Sequence, residues 1–147
     1  PGMSYNDRRV LPMFAYKVLN RQAVPVHGDG SQTRTFCYIT DAISGFLKVL
    51  LRGKPGHAYN IGNDETEISM KDLAALFTSL EDNSVDYELI PYPEHYPGGE
   101  PQRRCPDISK AKADLDFTPH VSLEDGLERF MEWCKNDSQY TGGKLSI

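Results

Sequence analysis

Apolar residues recur along the chain at two spacings. From Arg8 to Asn20, Val10, Leu11, Phe14, Val18 and Leu19 fall three and four apart and predict an amphipathic helix. Pro12 lies near its first turn, where a missing N–H does least harm. Pro25-Val26-His27 reads as a short extended piece and Gly28-Asp29-Gly30-Ser31 as a turn. Arg34–Ile39 alternates and is rich in Thr and aromatics, which predicts a strand. A second helix is expected over Ala42–Arg52, capped by Thr40 or Asp41 and stopped at Gly53, with Ile43, Phe46, Leu47, Leu50 and Leu51 on one side.

Ala58-Tyr59-Asn60-Ile61 reads as a short strand ending at Gly62. Ser69-Met70-Lys71-Asp72 has the form of a capping box, with Asp for the usual Glu, and opens a helix through Leu80. A strand is expected over Val85–Ile90. Pro91–Pro106 holds five prolines and two glycines, so an irregular loop is expected there, and such loops are often functional. Asp107 is the expected cap of a short helix to Leu115. Ser122 starts a last helix carrying Leu127, Phe130, Met131 and Cys134 on one side. From Asn136 onward the chain is polar, contains Gly and is expected to fray. Helices alternating with short strands predict an α/β fold.

Composition adds one point. Leu, Ile, Val and Phe number 33 of 147 residues, just above the ~20% level below which disorder is expected. The chain should fold, but around a lean core, as if some core is missing. Sixteen basic and 21 acidic residues leave a net charge of −5, which argues against a general nucleic-acid binder. No apolar run approaches the ~18 residues of a membrane span. Pro1-Gly2-Met3-Ser4-Tyr5 lacks the basic and apolar regions of a signal peptide. Cys37, Cys105 and Cys134 are odd in number and form no Cys-x-x-Cys pair, so neither a disulfide framework nor a zinc cluster is expected and a reducing cytoplasm is the simplest compartment.

Two segments carry candidate chemistry. In Gly28-Asp29-Gly30-Ser31-Gln32-Thr33-Arg34 a Gly-rich turn leads to an Arg at the start of a strand, whose planar fork suits phosphate oxygens. The plain alternative is a tight hairpin with a solvated Arg. In Gln102-Arg103-Arg104-Cys105-Pro106-Asp107 two adjacent arginines on a constrained loop suit a second charge of a diphosphate. The alternative is pairing with Glu100, Asp107 or a helix end. Tyr140-Thr141-Gly142-Gly143-Lys144 fits Tyr-x-x-x-Lys, but two glycines in a polar tail argue against a shared helix face. His27, His57, His95 and His120 show no metal spacing. Cys105 beside Arg104 leaves a Cys-centred hydrolase as a weak third idea. Asp64-Glu65-Thr66-Glu67 reads as a solvated loop.

Taken together, several segments resemble one family. Pro1-Gly2-Met3 with Asn6-Asp7-Arg8-Arg9-Val10-Leu11-Pro12 resembles the Tyr-Gly-Pro segment and following helix of the extended short-chain dehydrogenase/reductases. These are the NAD-dependent nucleotide-sugar epimerases, dehydratases and decarboxylases. Gly28–Asp41 resembles their Gly-x-Gly-x-Gln-x-Arg…Tyr-Val-x-Asp signature, and Tyr59-Asn60-Ile61-Gly62 their Tyr-Asn-Ile-Gly strand. Arg104-Cys105-Pro106-Asp107-Ile108-Ser109-Lys110-Ala111 resembles their Arg-x-Pro-Asp-x-x-Lys-Ala segment, and Leu115–Leu127 the closing helix pair. The likeness runs from Pro1 to about Cys134 and is closest to UDP-glucuronate decarboxylases.

The resemblance implies a Rossmann-type α/β enzyme of which this chain is the C-terminal substrate-binding portion, a small mixed sheet with packed helices. Residues 1–135 would be the nucleotide-sugar-binding domain and 136–147 a polar tail. Arg34 and Arg104 match the arginines that clamp the diphosphate of a UDP- or dTDP-sugar, Val26 and His27 the segment against the nucleobase, and Leu11 the helix lining the same pocket. The family oxidises the sugar transiently at C4, with a Tyr as base and NAD taking the hydride. Its Gly-x-x-Gly-x-x-Gly turn and its Tyr-x-x-x-Lys helix are absent here, so no catalytic and no NAD-binding residue is assigned to this chain, which is expected to be inactive alone. The partner implied is the N-terminal Rossmann half, in a homodimer when intact. Decarboxylase-like sequences often carry Arg where this chain has Gly2, which leaves epimerase and dehydratase chemistry open. The alternative is a stand-alone nucleotide-sugar-binding module without catalysis.

Overall fold

The computed structural model describes residues 9–82, 85–94 and 101–141. Its elements are α1 (Val10–Leu19), β1 (Val24–His27), β2 (Thr33–Thr35), α2 (Ile39–Arg52), β3 (Glu67–Ser69), α3 (Met70–Ser79), β4 (Tyr87–Ile90), β5 (Arg103–Arg104), α4 (Ser109–Leu115), α5 (Leu123–Lys135) and α6 (Ser138–Thr141). The α/β class follows. The strands form two small sheets, β1-β4 and β3-β2-β5. The chain divides into two compact units, Pro1–Gln32 with Ser69–Glu100 and Leu127–Ile147, and Thr33–Ile68 with Pro101–Gly126.

The first unit buries its apolar stripes as the periodicity predicts. α1 buries Phe14, Ala15 and Val18, and α3 buries Leu73, Ala74 and Phe77. Phe14 and Phe77 meet edge to face at 5.7 Å, the arrangement ring quadrupoles favour. β1 runs parallel to β4, with Val24 opposite Tyr87 and His27 opposite Ile90, and its Val24 and Val26 point into the core. Ser69 caps α3. Its hydroxyl oxygen accepts from Asp72 N (3.0 Å) while its proton goes to the Asp72 carboxylate (2.6 Å), so Asp serves where Glu is usual.

Residues 138–141, expected to fray, form α6 instead. Tyr140 is fully buried against Phe130 and Trp133, and Asn20 Nδ2 donates to its carbonyl (2.7 Å). One ring and one amide hold a segment whose composition is otherwise polar. Burial of Cys134 beside it pushes that thiol's pKa up to about 12, which keeps it protonated and inert.

The second unit has a smaller core, Ile108, Ala111, Leu115 and Phe117, with Val49, Tyr59 and Ile61 packed against it. Segment 58–61 is not a strand. Lys110 Nζ donates to Ala58 O (2.8 Å) and lies over the Tyr59 ring, Tyr59 OH bonds Asp114 (3.1 Å), and Asn60 Nδ2 donates to Asp107 O (2.9 Å). These bonds tie it to α4 and its approach, and no ladder forms among the described residues.

The strand expected over Arg34–Ile39 is only Thr33–Thr35, because Ile39 already begins α2. Neither expected cap acts: Tyr38 is the N-cap, without a side-chain bond. Asp41 is instead buried, and its Oδ2 accepts from His120 N (3.0 Å) and Val121 N (2.9 Å), tying a connecting loop to the helix. The buried face of α2 is Asp41 and Gly45, not the apolar stripe. A Cβ on Gly45 would overlap Ile61 and come within 2.9 Å of Phe117. On the opposite side Ile39, Ile43, Phe46, Leu47, Leu50 and Leu51 are all at least half exposed, Leu50 and Leu51 at 78%. At 3.6 residues per turn they cover about 140° of the helix, the width of a stripe that ordinarily faces a core. Among the described residues no helix is long and apolar enough to cross a membrane.

Candidate functional site

The site is built on β2 and β5 of the second unit. They run parallel, with Thr33 opposite Arg103 and Arg34 opposite Arg104. The two arginines named from the sequence are therefore neighbours on adjacent strands. In-register residues of a parallel pair share a face, so both guanidinium groups belong to one surface. Arg34 is half-buried, and its Nη1 donates to Thr33 O (2.7 Å) and Pro101 O (2.9 Å), which holds the side chain in one direction. Arg104 is exposed, and its guanidinium has no ion-pair or hydrogen-bond partner among the described residues.

Arg103 is different. It forms a fork on Glu67, with Nε and Nη2 contacts all at 2.9 Å, and Thr33 Oγ1 also donates to Glu67. Glu100, one expected partner, lies outside the described residues. Arg103 is thus paired not with Asp107 or a helix end but with Glu67, a residue read from sequence as part of a solvated loop. Asp64 of that stretch is paired too, to Lys112 Nζ at 2.8 Å. The Thr33 hydroxyl, then Arg103, hold the Glu67 carboxyl below its usual pKa, so it is ionised at neutral pH.

Arg104 opens onto a cavity of about 470 Å³, within the range of small-ligand clefts. Thr35, Cys37, Asn63, Cys105 and Pro106 are among its lining residues, and none of that lining is a carboxylate or an imidazole. Cys105 Sγ donates to Pro106 O, and burial followed by the charge of Asp41 pushes the Cys37 thiol pKa up. Among the described residues no imidazole lines the cavity beside either sulfur to make a nucleophile. Asn63 is buried, and its Oδ1 accepts from Glu65 N, which shapes the floor.

The other named residues lie in the first unit. Leu11 is half-buried on α1. Val26 turns its side chain into the core, leaving only backbone to a ligand. His27 is half-buried and stacks on Tyr92 at 5.5 Å, and Gln32 Nε2 donates to both His27 O and Tyr92 OH (3.1 Å each). The hairpin alternative does not hold: β1 and β2 belong to different sheets. Gly28 and Gly30 adopt φ of +70° and +72°, and Asp29 accepts from Ser31 N (2.9 Å) to fix the turn. A Cβ on Gly28 would come within 2.8 Å of the Tyr92 ring and one on Gly30 within 2.8 Å of Val26. Both glycines let protein pack against the turn, and a strand rather than a helix follows, so this turn does not fit the pyrophosphate of NAD. Sequence reasoning assigns no binding role to Glu67, Gln32, Tyr92 or Asn63; Gln32 lies inside the Gly-rich signature and Asn63 ends the Tyr59–Asn63 segment that resembles the Tyr-Asn-Ile-Gly strand. The catalytic-pair decoy is partly outside the described residues, at Lys144, and Tyr140 is sealed in the core. No group of His, Cys, Asp and Glu among the described residues is arranged to hold a metal.

Residues 1–62 match the NAD dependent epimerase/dehydratase family. UDP-glucuronic acid decarboxylase 3 of Arabidopsis thaliana is 37% identical over 127 residues, 86% of this chain and 35% of that protein. UDP-glucuronic acid decarboxylase 1 of Danio rerio is 34% identical over 99% of this chain and 33% of its own length. UDP-glucuronic acid 4-epimerase from Bacillus cereus, solved with UDP-glucuronic acid and NAD, superposes with a TM-score of 0.76 at 30% identity, over 86% of this chain and 39% of that one. The chain spans about a third of the length of the curated relatives it matches. Over that share of its relatives' length the chain is similar to the NAD dependent epimerase/dehydratase family, whose model it matches at residues 1–62.

Proposed function

We propose that this chain is the substrate-gripping part of an NAD-dependent nucleotide-sugar-modifying enzyme, of the decarboxylase, 4,6-dehydratase or 4-epimerase type. The observation that carries the reading is the in-register pair Arg34 and Arg104, with Arg103 neutralised by Glu67 and Arg104 open to a cavity. Two arginines on one sheet face suit the charge of a diphosphate, because guanidinium donates N–H groups to phosphate oxygens. In the first unit the reading assigns the Val26–His27 backbone and the His27 ring to the nucleobase and Leu11 to the wall beside it. Support there is the turn fixed by Asp29 and the stacked Tyr92.

NAD is held outside this chain, since the Gly28–Ser31 turn is packed by protein side chains. The partner is an N-terminal Rossmann half, and the exposed stripe of α2 supports it: six large apolar side chains in a row are patterned for burial. In the intact protein a homodimer is expected, and the three free thiols suit a reducing cytoplasm. The stand-alone module remains the second reading, favoured by the fact that the described residues supply the arginine pair but no base at the cavity.

Titration of the purified chain with UDP tests the grip. Arg104→Ala should weaken UDP binding by about 10- to 150-fold, the equivalent of one charge-assisted contact of ~1.5–3 kcal/mol. Equal affinity in wild type and Arg104→Ala would sink the assignment. Turnover of UDP-glucuronate by the chain with added NAD would sink the substrate-part reading.

A further inference from the structure

We infer that Glu67 is a positioning residue for the two-arginine pair, setting the alignment of β2 and β5 from which Arg34 and Arg104 project. The inference rests on the diphosphate-binding reading above. Thr33 and Arg103 are register partners, and each immediately precedes one of the two arginines. Both bond the same carboxylate: Thr33 donates its hydroxyl to Oε1, and Arg103 donates Nε to both oxygens at 2.9 Å and Nη2 to Oε2 at 2.9 Å. Glu67 stands on β3, the strand beside β2. One carboxylate thus pins the row directly before the Arg34–Arg104 row across the three-stranded sheet.

The sheet needs such a pin. β5 is two residues long and β2 three, and Thr33 N to Gln102 O (2.7 Å) adds one further bond between their approaches. So few ladder bonds define register weakly, while a bidentate fork fixes direction as well as distance.

The sign of the effect separates positioning from plain electrostatics. A carboxylate near an anion site repels the anion, so on charge alone Glu67→Ala should strengthen UDP binding. Positioning demands the opposite: UDP binding weakened about two- to tenfold, the fold-change of coupling within one hydrogen-bonded network. Glu67→Gln keeps acceptor capacity and should retain part of the affinity. In an Arg104→Ala background, Glu67→Ala should add little further loss, and Arg103→Ala and Glu67→Ala together should cost no more than either alone. Calorimetry with UDP and each folded variant reads all of these. Unchanged or tighter binding by Glu67→Ala and Glu67→Gln, in a wild type that binds UDP through Arg104, overturns this inference alone. A full additive loss in the Arg104→Ala background does so as well. A wild type that binds no UDP overturns the diphosphate reading and this inference with it.

Discussion

The two units handle the same kind of helix in opposite ways. In the first, α1 and α3 turn their apolar stripes inward, and that unit holds 13 of the 18 buried hydrophobic residues named among those described. In the second, α2 carries a stripe of six large apolar residues and turns it outward, burying Asp41 and Gly45 instead. The difference teaches that periodicity identifies an apolar face without saying what covers it. α1 and α3 find each other across Phe14 and Phe77. α2 meets the second core through Val49 and through the close approach of Gly45 to Ile61 and Phe117, and its six large apolar side chains stay exposed.

Substitutions test that contrast, starting with the largest. Phe77→Ala should cost the first unit about 3–5 kcal/mol, the range for deleting a fully buried ring. Chemical denaturation followed by hydrogen exchange reads this, and a loss below 1 kcal/mol would mean that the Phe14–Phe77 contact is not a core contact. Gly45→Ala comes next. The added methyl meets Ile61 and Phe117, so the second unit should lose about 1–3 kcal/mol, as overpacked sites do, although Ala is the better helix former. A stabilised Gly45→Ala would show that α2 is not seated closely.

Acid should then distinguish the units. In the second, Glu67 is held below its ordinary pKa by Thr33 and Arg103, Asp107 by the Ser109 hydroxyl and N–H, and Asp114 by Lys54. In the first, Asp29, lowered by Ser31, is the carboxylate among the described residues with such a shift. A carboxyl with a depressed folded pKa stabilises above its unfolded value, near ~4. That stabilisation disappears as pH falls through the folded value, because the unfolded chain then binds more protons. Between about pH 5 and pH 3, amide protection should therefore fall first in the second unit. Earlier loss in the first would reverse the comparison.

The smallest expected effect is on α2 itself. Leu50→Glu should change the stability of this chain by no more than about 0.5 kcal/mol, as at other exposed positions, while lowering its uptake of an apolar dye. A loss of several kcal/mol would mean that the stripe is buried within the chain after all.

Much of the fold was legible along the chain. The spacing of Val10 to Leu19, the Ser69–Asp72 cap and the Leu127–Cys134 stripe are local patterns, and each forms what local physics demands. Arg34 and Arg104 were legible through motif likeness, though their adjacency was not, since 70 positions separate them and only β2–β5 pairing joins them. The pattern was silent where a partner far along the chain decides. Asp41 is a fair helix cap by type, yet two loop N–H groups claim it. Ala58–Ile61 has strand composition, yet Lys110, Asp114 and Asp107 hold it against a helix.

By itself the sequence determined that α1 to α5 are helical, which faces are apolar, that a Gly-rich turn precedes an Arg, and which family the chain resembles. Tertiary structure alone decided three things. It made Arg103 an ion-pair partner and left Arg104 open, buried Tyr140 in a polar tail, and turned the apolar face of α2 outward. The reason is common to all three. Spacing of residues along a helix or strand is set by backbone geometry, whereas which group a side chain meets depends on contacts between distant segments that only the folded chain brings together.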